Sequence, residues 1–277
     1  MLEPISEQEI ISKLKSLHRR HMPIIDENGF FKNVFSLDDI DFVTRENVVV
    51  IMAGGLGTRL GELTKDIPKP MLNVGSQPML LHLVELFREQ GFRQFIFCVN
   101  YKKNVITDYF SNGSKFGVEI EYVTENTRMG TAGALSLIEK EIDKPFFVIN
   151  ADILTNLDFT SFLSFHKKQD CLATMCVRSY QFQVPYGVIN SNEEQSLLSI
   201  EEKPNVSFDV NAGIYLLDPK VLSYIPRNQF FDMPSLFEML VKDNMPTKVY
   251  PVQDYWLDIG RKEDLAQANI DMKGFGS

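Results

Sequence analysis

Gly54, Gly55, Gly57, Arg59 and Lys69 fall within one stretch, GGLGTRLGELTKDIPKP at 54–70. Glycine has no Cβ to hold a ligand off the backbone, so several main-chain N–H groups can turn toward one anion. Arg59 adds a planar, permanently charged fork for phosphate oxygens. Lys69, set between Pro68 and Pro70, adds a point charge on a stiffened segment. A glycine nest with two cations suits a triphosphate. From the glycines alone, an ordinary strand-to-helix turn with a surface arginine is the competing reading. Better-known glycine loops fit poorly. A P-loop needs Lys followed by Ser or Thr, where Thr58-Arg59 stands, and the dinucleotide fingerprint needs Gly at 60, which is Leu60.

A second group of candidates is acidic. The apolar run at 146–150 predicts a buried strand that delivers Asp152 at its carboxyl end, where open α/β sheets place their ligands. A carboxylate there can hold Mg²⁺ against phosphate oxygens; a helix cap is the other reading. Small residues at Gly130-Thr131-Ala132-Gly133-Ala134 let a flat ring approach the backbone, or serve tight helix-on-sheet packing.

The elements that must position these residues alternate from 48 onward. The run 48–53 predicts a buried strand that stops at paired glycines. Further strands are predicted over 95–100, 118–123, 146–150, 171–178 and 247–251. Helices are predicted over 78–90, 103–110, 159–169, 221–225, 234–243 and 261–272, and residues 125–134 enter a helix expected to run toward Glu141. Segments 186–190 and 197–202 look like antiparallel strands. The pattern predicts an α/β fold, a Rossmann-like, mainly parallel mixed sheet flanked by helices, with an antiparallel subregion. Trp256 reads as a packing residue, and 274–277 as a flexible tail.

The chain has 277 residues, 44% hydrophobic and 23% charged, enough for one large domain and a small appendage. A net charge of −9 argues against a nucleic-acid partner. There is neither an apolar run of membrane-spanning length nor a signal-peptide pattern at MLEPISEQEI, so the sequence reads as cytoplasmic with no membrane partner. Cys98, Cys171 and Cys176 are too few for a disulfide framework; Cys171 and Cys176 are expected on opposite faces of one strand. The four histidines show no zinc spacing.

Gly54-Gly55-Leu56-Gly57-Thr58-Arg59-Leu60 followed by Pro68-Lys69-Pro70 resembles the signature of the sugar-1-phosphate nucleotidyltransferases, and the likeness continues in order from about residue 47 to 270. The resemblance implies transfer of a nucleotidyl group from a nucleoside triphosphate to a sugar 1-phosphate, with Mg²⁺ as cofactor and a nucleotide-diphospho-sugar transferase fold over 46–273. A homo-oligomer is compatible with it. It implies catalytic roles for Arg59, Lys69 and Lys203, and nucleotide contacts from Ala53, Gly54, Gly55, Gly57, Thr58, Asn100, Glu125, Gly130 and Thr131. Sugar-phosphate contacts would come from Asp152, Tyr186, Gly187, Glu201, Lys203, Asn211 and Gly213, and metal ligation from Asp152 and Asp258. Two positions depart from the common pattern: Ala151 stands where Gly is usual, and Met129 where Leu is.

Residues 1–45 resemble part of a CBS motif, with a helix over 6–19 opened by Ser6 and Glu9 and two strands over 22–35; a mere N-terminal helical arm is the other reading. With that fragment, TRMGTAGAL, QVPYGV, EEKP, NAGIY and YWLDIGR most resemble the CBS-linked guanylyltransferases of legionaminic acid pathways, which implies GTP and glucosamine 1-phosphate. The alternatives are a uridylyltransferase, a mannose- or heptose-1-phosphate guanylyltransferase, and a catalytically silent nucleotide-sugar-binding subunit.

Overall fold

The computed structural model of the protein describes residues 10, 13, 14, 19, 21–26, 29–36 and 44–275. Near the N-terminus, β1 (His21–Ile25) and β2 (Phe31–Ser36) form an antiparallel hairpin turned at Gly29, the two strands expected there. Of the helix expected over 6–19, Ile10, Lys13 and Leu14 are helical and Leu14 is buried; most of the remainder lies outside the described residues. The hairpin alone does not establish a CBS motif. Arg45, expected to end that segment, joins the main body: its N–H donates to the Gly91 carbonyl and its guanidinium lies over the Phe92 ring.

The main body runs β3 (Val49–Met52), β4 (Asn73–Val74), β5 (Gln77–Pro78), α1 (Met79–Glu89), β6 (Gln94–Val99), α2 (Lys103–Phe110), β7 (Glu119–Thr124), a single turn α3 (Gly130–Gly133), β8 (Phe146–Asn150), β9 (Ile153–Thr155) and α4 (Phe159–Gln169). Then follow β10 (Ala173–Gln183), β11 (Val188–Ser191), β12 (Leu197–Glu201), β13 (Asn205–Leu217), α5 (Met233–Lys242), β14 (Thr247–Pro251), β15 (Trp256–Asp258) and α6 (Lys262–Phe275). Seven strands build the central sheet in the order β14-β10-β13-β8-β3-β6-β7, and only β13 runs antiparallel to its neighbours. This is the mainly parallel mixed sheet expected. From β3 the chain works outward to β6 and β7, then returns to β8 on the other side of β3. The order therefore reverses between β3 and β8, and residues leaving those strands meet in the crevice at their carboxyl ends.

The two-residue period of the strands sorts their side chains into two layers. Val49, Ile51, Phe95, Phe97, Phe147 and Ile149 pack on one face under α1, α2 and α4. Val50, Ile96, Cys98, Phe146 and Val148 pack on the other with α5. Parallel strands covered on both faces must be apolar at almost every position, which is why these runs read so clearly in the sequence. Phe87 of α1 stacks on Phe159 of α4 at 3.7 Å between ring centroids, tying the two helices over β8. α4 starts at Asp158, whose carboxylate accepts from the N–H groups of Thr160 and Ser161, and α5 starts at Asp232, which accepts from the Ser235 N–H.

Four expectations need correction. The helix expected toward Glu141 is one turn, followed by a tight 3₁₀ turn over Ala134–Leu137; Ile138 is extended, and the polar run beyond it offers no apolar face to bury. Cys171 precedes β10, which begins at Ala173, and packs by His166, so it does not share a strand with Cys176; all three cysteines are buried and free. β10 extends past Arg178 to Gln183, because β13 pairs with it to Asn205. Gly274 and Phe275 belong to α6 and not to a tail; 276 and 277 lie outside the described residues. Among the described residues no helix is long and apolar enough to cross a membrane.

His166 lies buried with its Nδ1 2.8 Å from the Thr174 hydroxyl. Burial pulls its pKa down from 6.5 to about 4, Asp218 opposing and Lys167 adding to the shift. A depressed folded pKa means that the unfolded chain takes up a proton first, so stability is lost as pH falls from 6.5 toward 4. Urea titrations across that range should show a shallower acid loss in His166→Gln than in the wild type. An unchanged slope would clear His166.

Candidate active site

The glycine loop leaves β3 at its carboxyl end and is shaped by its own backbone. Gly57 takes the left-handed conformation (φ 65°), and a Cβ there would lie 2.9 Å from Thr64 Cγ2 and 3.1 Å from Lys69 Cβ. Its carbonyl accepts from the buried Thr64 hydroxyl at 2.9 Å and from the Leu60 N–H at 3.0 Å. Leu60 is fully buried with Leu72, Val74, Leu154, Ile259 and Ala268, a third apolar cluster that pins the loop against β9, β15 and α6. Arg59, one residue before this anchor, stays exposed at the cleft and packs against Gly260, where an added Cβ would sit 3.3 Å from Arg59 Nη1.

Lys69 is held as its flanking prolines imply. Pro68 is extended, Lys69 opens a 3₁₀ turn, and its side chain is buried at 7% exposure. Its Nζ donates to Asp152 Oδ2 at 2.5 Å, so this cation meets the cleft as half of an ion pair. Asp152 leaves β8 two residues past its end. Asp258 ends β15, which pairs antiparallel with β9 so that Asp258 lies opposite Ile153, and the Ile259 N–H donates to the Asp152 carbonyl at 3.0 Å. Burial pushes the Asp258 carboxyl up, Asp152 pushes it further, and Lys69 and Arg59 draw it back. Arg59, Lys69, Asp152 and Asp258 thus form one electrostatic group.

Arg59, Lys69 and Asp152 border a cleft of about 460 Å³ lined also by Gly54, Gly55, Gly57, Thr58 and Asn100; Asp258 is not on its lining and joins the group through its electrostatic coupling to these three. A second cleft of about 310 Å³ shares Gly54, Gly55, Arg59 and Asp152 and extends along Glu125, Gly130 and Thr131. The two form one trough across the ends of β3, β6, β7 and β8. Close packing shapes it: a Cβ on Gly54 would lie 2.6 Å from Glu125 Oε1, and one on Gly130 (φ 79°) would lie 2.5 Å from the Phe231 carbonyl. Burial raises the Glu125 carboxyl, while the Met129 N–H, which donates to it at 3.1 Å, and Arg128 lower it. Gly130→Ala combines a clash with a left-handed backbone, so a loss of about 1–3 kcal/mol is expected in urea denaturation. An unchanged midpoint would contradict it.

The trough does not gather every expected residue. Ala53 is buried and gives its N–H to the Cys98 carbonyl, lining neither cleft. Thr131 lines the trough, but its hydroxyl accepts from the Met233 N–H at 2.9 Å, fixing the start of α5. Asn211 accepts from the Gly213 N–H and donates to the Tyr215 hydroxyl, and Gly213 (φ 70°) packs by Asn150. Tyr186 (75% exposed), Gly187, Glu201 and Lys203 lie on or beside the β11–β12 hairpin and line neither cleft. Lys203 is the left-handed residue of the turn (φ 48°) into β13. Trp256 is half-buried and donates to the Ala212 carbonyl at 2.8 Å, the packing role expected of it.

Asn126, Thr127, Arg128, Asn150 and Gly260 also line the trough and escaped the sequence reading. Each is one or two residues from an expected site residue, and Thr127, Arg128 and Gly260 also fall within the TRMGTAGAL and YWLDIGR segments of the resemblance, but none was named as a contact.

Asp258 Oδ1 is buried without a hydrogen-bond partner. An orphaned carboxylate oxygen beside a second carboxylate is a hard-oxygen donor set, which fits a divalent cation such as Mg²⁺. Among the described residues no cluster of three or more acidic, histidine or cysteine side chains could hold a metal by itself. The pair suits an ion that keeps water and takes further oxygens from phosphates.

A family model described as "Nucleotidyl transferase" matches residues 48–273. The chain belongs to the nucleotidyl transferase family. Among curated members, it is 33% identical over 238 residues to a UTP--glucose-1-phosphate uridylyltransferase of Synechocystis, covering 79% of this chain and 61% of that protein. It is 34% identical over 224 residues to a probable mannose-1-phosphate guanylyltransferase of Oryza sativa, covering 78% and 62%. The chain therefore spans about three-fifths of the length of these curated relatives. Among solved structures, HddC from Yersinia pseudotuberculosis complexed with GMP-PN superposes with a TM-score of 0.63 at 29% identity, covering 82% of this chain and 99% of that one.

Proposed function

We propose that the chain transfers a nucleoside monophosphate from a nucleoside triphosphate, GTP by preference, to a sugar 1-phosphate, releasing pyrophosphate and forming a nucleotide sugar. The single observation that carries this reading is the grouping of Arg59, Lys69, Asp152 and Asp258 beneath the glycine loop. A sugar-phosphate oxygen attacks the α-phosphorus in line. Two mutually repelling anions must be held about 3 Å apart, and the chain's part is positioning and charge neutralisation. The glycine N–H groups and Arg59 face the leaving pyrophosphate, Lys69 the nucleotide phosphates. The sequence resemblance assigns the sugar phosphate to Lys203 and its neighbours on the hairpin, which would have to approach the trough they stand apart from here. Asp152 and Asp258 would hold a divalent cation, whose contribution is to neutralise charge on phosphate oxygens. No general base is needed, because a phosphate monoester is already ionised near neutral pH.

Guanine preference is supported by the guanylyltransferase relatives and the GMP-PN complex of HddC. Glucosamine 1-phosphate as acceptor, for nonulosonic (legionaminic) acid synthesis, rests on the sequence resemblance. The uridylyltransferase of Synechocystis favours a second reading, UTP with glucose 1-phosphate. Pyrophosphate release with Mg²⁺, four nucleoside triphosphates and a panel of sugar 1-phosphates separates them. Release fastest with GTP and glucosamine 1-phosphate is expected; fastest release with UTP would reassign the nucleotide. No release from any pair, with nucleotide still binding, would make the chain a silent binding subunit.

A further inference from the structure

Beside Gly130 the trough has a rim that the chemistry above does not use. The segment 229–231 is fastened to the small-residue turn: the Phe231 carbonyl accepts from the Ala132 and Gly133 N–H groups at 3.1 and 2.7 Å, and the Phe231 N–H donates to the Met129 carbonyl at 2.8 Å. Gly130 permits this approach, since a Cβ would come within 3.1 Å of the Phe230 ring. Phe230 is consequently fixed at the rim although its side chain is 55% exposed. The Arg128 guanidinium lies over that ring, 5.8 Å from its centroid, and Arg128 lines both halves of the trough. An exposed phenylalanine gains nothing from solvent, and a fixed ring carrying a planar cation is a stacking surface.

We propose that Arg128, backed by Phe230, is a stacking platform for the base of the nucleotide, one guanidinium face on the ring and the other toward the ligand. It discriminates by area: a purine covers more of the platform than a pyrimidine. The platform rests on the nucleotide-transfer reading and adds to it a determinant of base size.

The test uses the full chain with Mg²⁺ and no sugar phosphate, titrated calorimetrically with GTP and with UTP. Stacking on a side chain typically changes affinity by about 5- to 150-fold when removed. Arg128→Ala, Arg128→Lys and Phe230→Leu should each weaken GTP binding by roughly tenfold and UTP binding by less than about threefold. In turnover assays each should raise KM for GTP while leaving KM for the sugar phosphate near its wild-type value. Arg128→Lys is decisive, because it keeps the charge and loses the plane. If it binds GTP as the wild type does, Arg128 serves a phosphate and the platform is overturned. Any variant with wild-type GTP affinity, or an equal loss for both nucleotides, overturns it as well. A wild type that binds neither nucleotide defeats the transfer reading itself, whereas tight GTP binding left intact in the variants defeats the platform alone.

Discussion

Arg59→Ala should lower turnover by about 10²–10³-fold, the usual cost of deleting one preorganised charge donor, with the melting temperature nearly unchanged. The two readouts separate because Arg59 and its neighbour Leu60 divide the work. Leu60 is fully buried and holds the loop to β9, β15 and α6, while Arg59 remains exposed and contributes little to packing. Its nearest constraint is Gly260, which leaves room for the guanidinium. Arg59→Lys should recover only part of the loss, since an ammonium cannot bridge two phosphate oxygens in one plane. Near-normal turnover in Arg59→Ala, in a pyrophosphate-release assay with both substrates saturating, would remove it from the reaction.

The second large effect belongs to Asp258. Its carboxyl is raised by burial and by the adjoining Asp152, so the folded protein holds that proton to higher pH than the unfolded chain does. Stability is therefore lost as pH rises through the raised pKa, and the buried carboxyl beside Asp152 is a cost to the fold on the alkaline side of that range. Asp258→Asn removes the charge. Without metal, the variant should melt higher than the wild type at pH 7.5, and the gap should close toward acid. Added Mg²⁺ should raise the wild-type melting temperature by ligand linkage and leave the variant's almost unmoved. Turnover should fall by about 10²-fold or more, as expected when charge stabilisation at a reacting phosphate is lost. An unchanged metal titration would exclude Asp258 from the site.

Legibility in the sequence followed the physics of each segment. β8 and β14 and helices α2 and α4 end where their patterns predict; β8 does so because both faces of the sheet are covered there and the strand reads as an unbroken apolar run. The glycine loop was legible because its residue types are chemically unusual together. The helix from Gly130 was overestimated: its small residues fit a helix equally well as a turn, and the carbonyl of Phe231, about a hundred positions away, decides between them. The pairing of Arg128 with Phe230 was illegible for the same reason, although Arg128 itself lies in the TRMGTAGAL segment. The residues expected at the sugar, Tyr186, Glu201 and Lys203, carry no local constraint that fixes them against the trough, and they stand apart from it. Local pattern specifies elements; contacts across the chain specify which of them meet.

Asp152 and Asp258 are 106 positions apart in the chain, yet the backbone carbonyl of the first accepts from the N–H that follows the second. The entropy of bringing such distant acids together is settled when β9 and β15 pair, before any cation arrives. If the pair holds a divalent cation as proposed, capture would then cost desolvation and the release of Asp152 from Lys69. The jaw is set by folding, and its affinity should depend on how firmly those two three-residue strands are clamped, far more than on chain length between them.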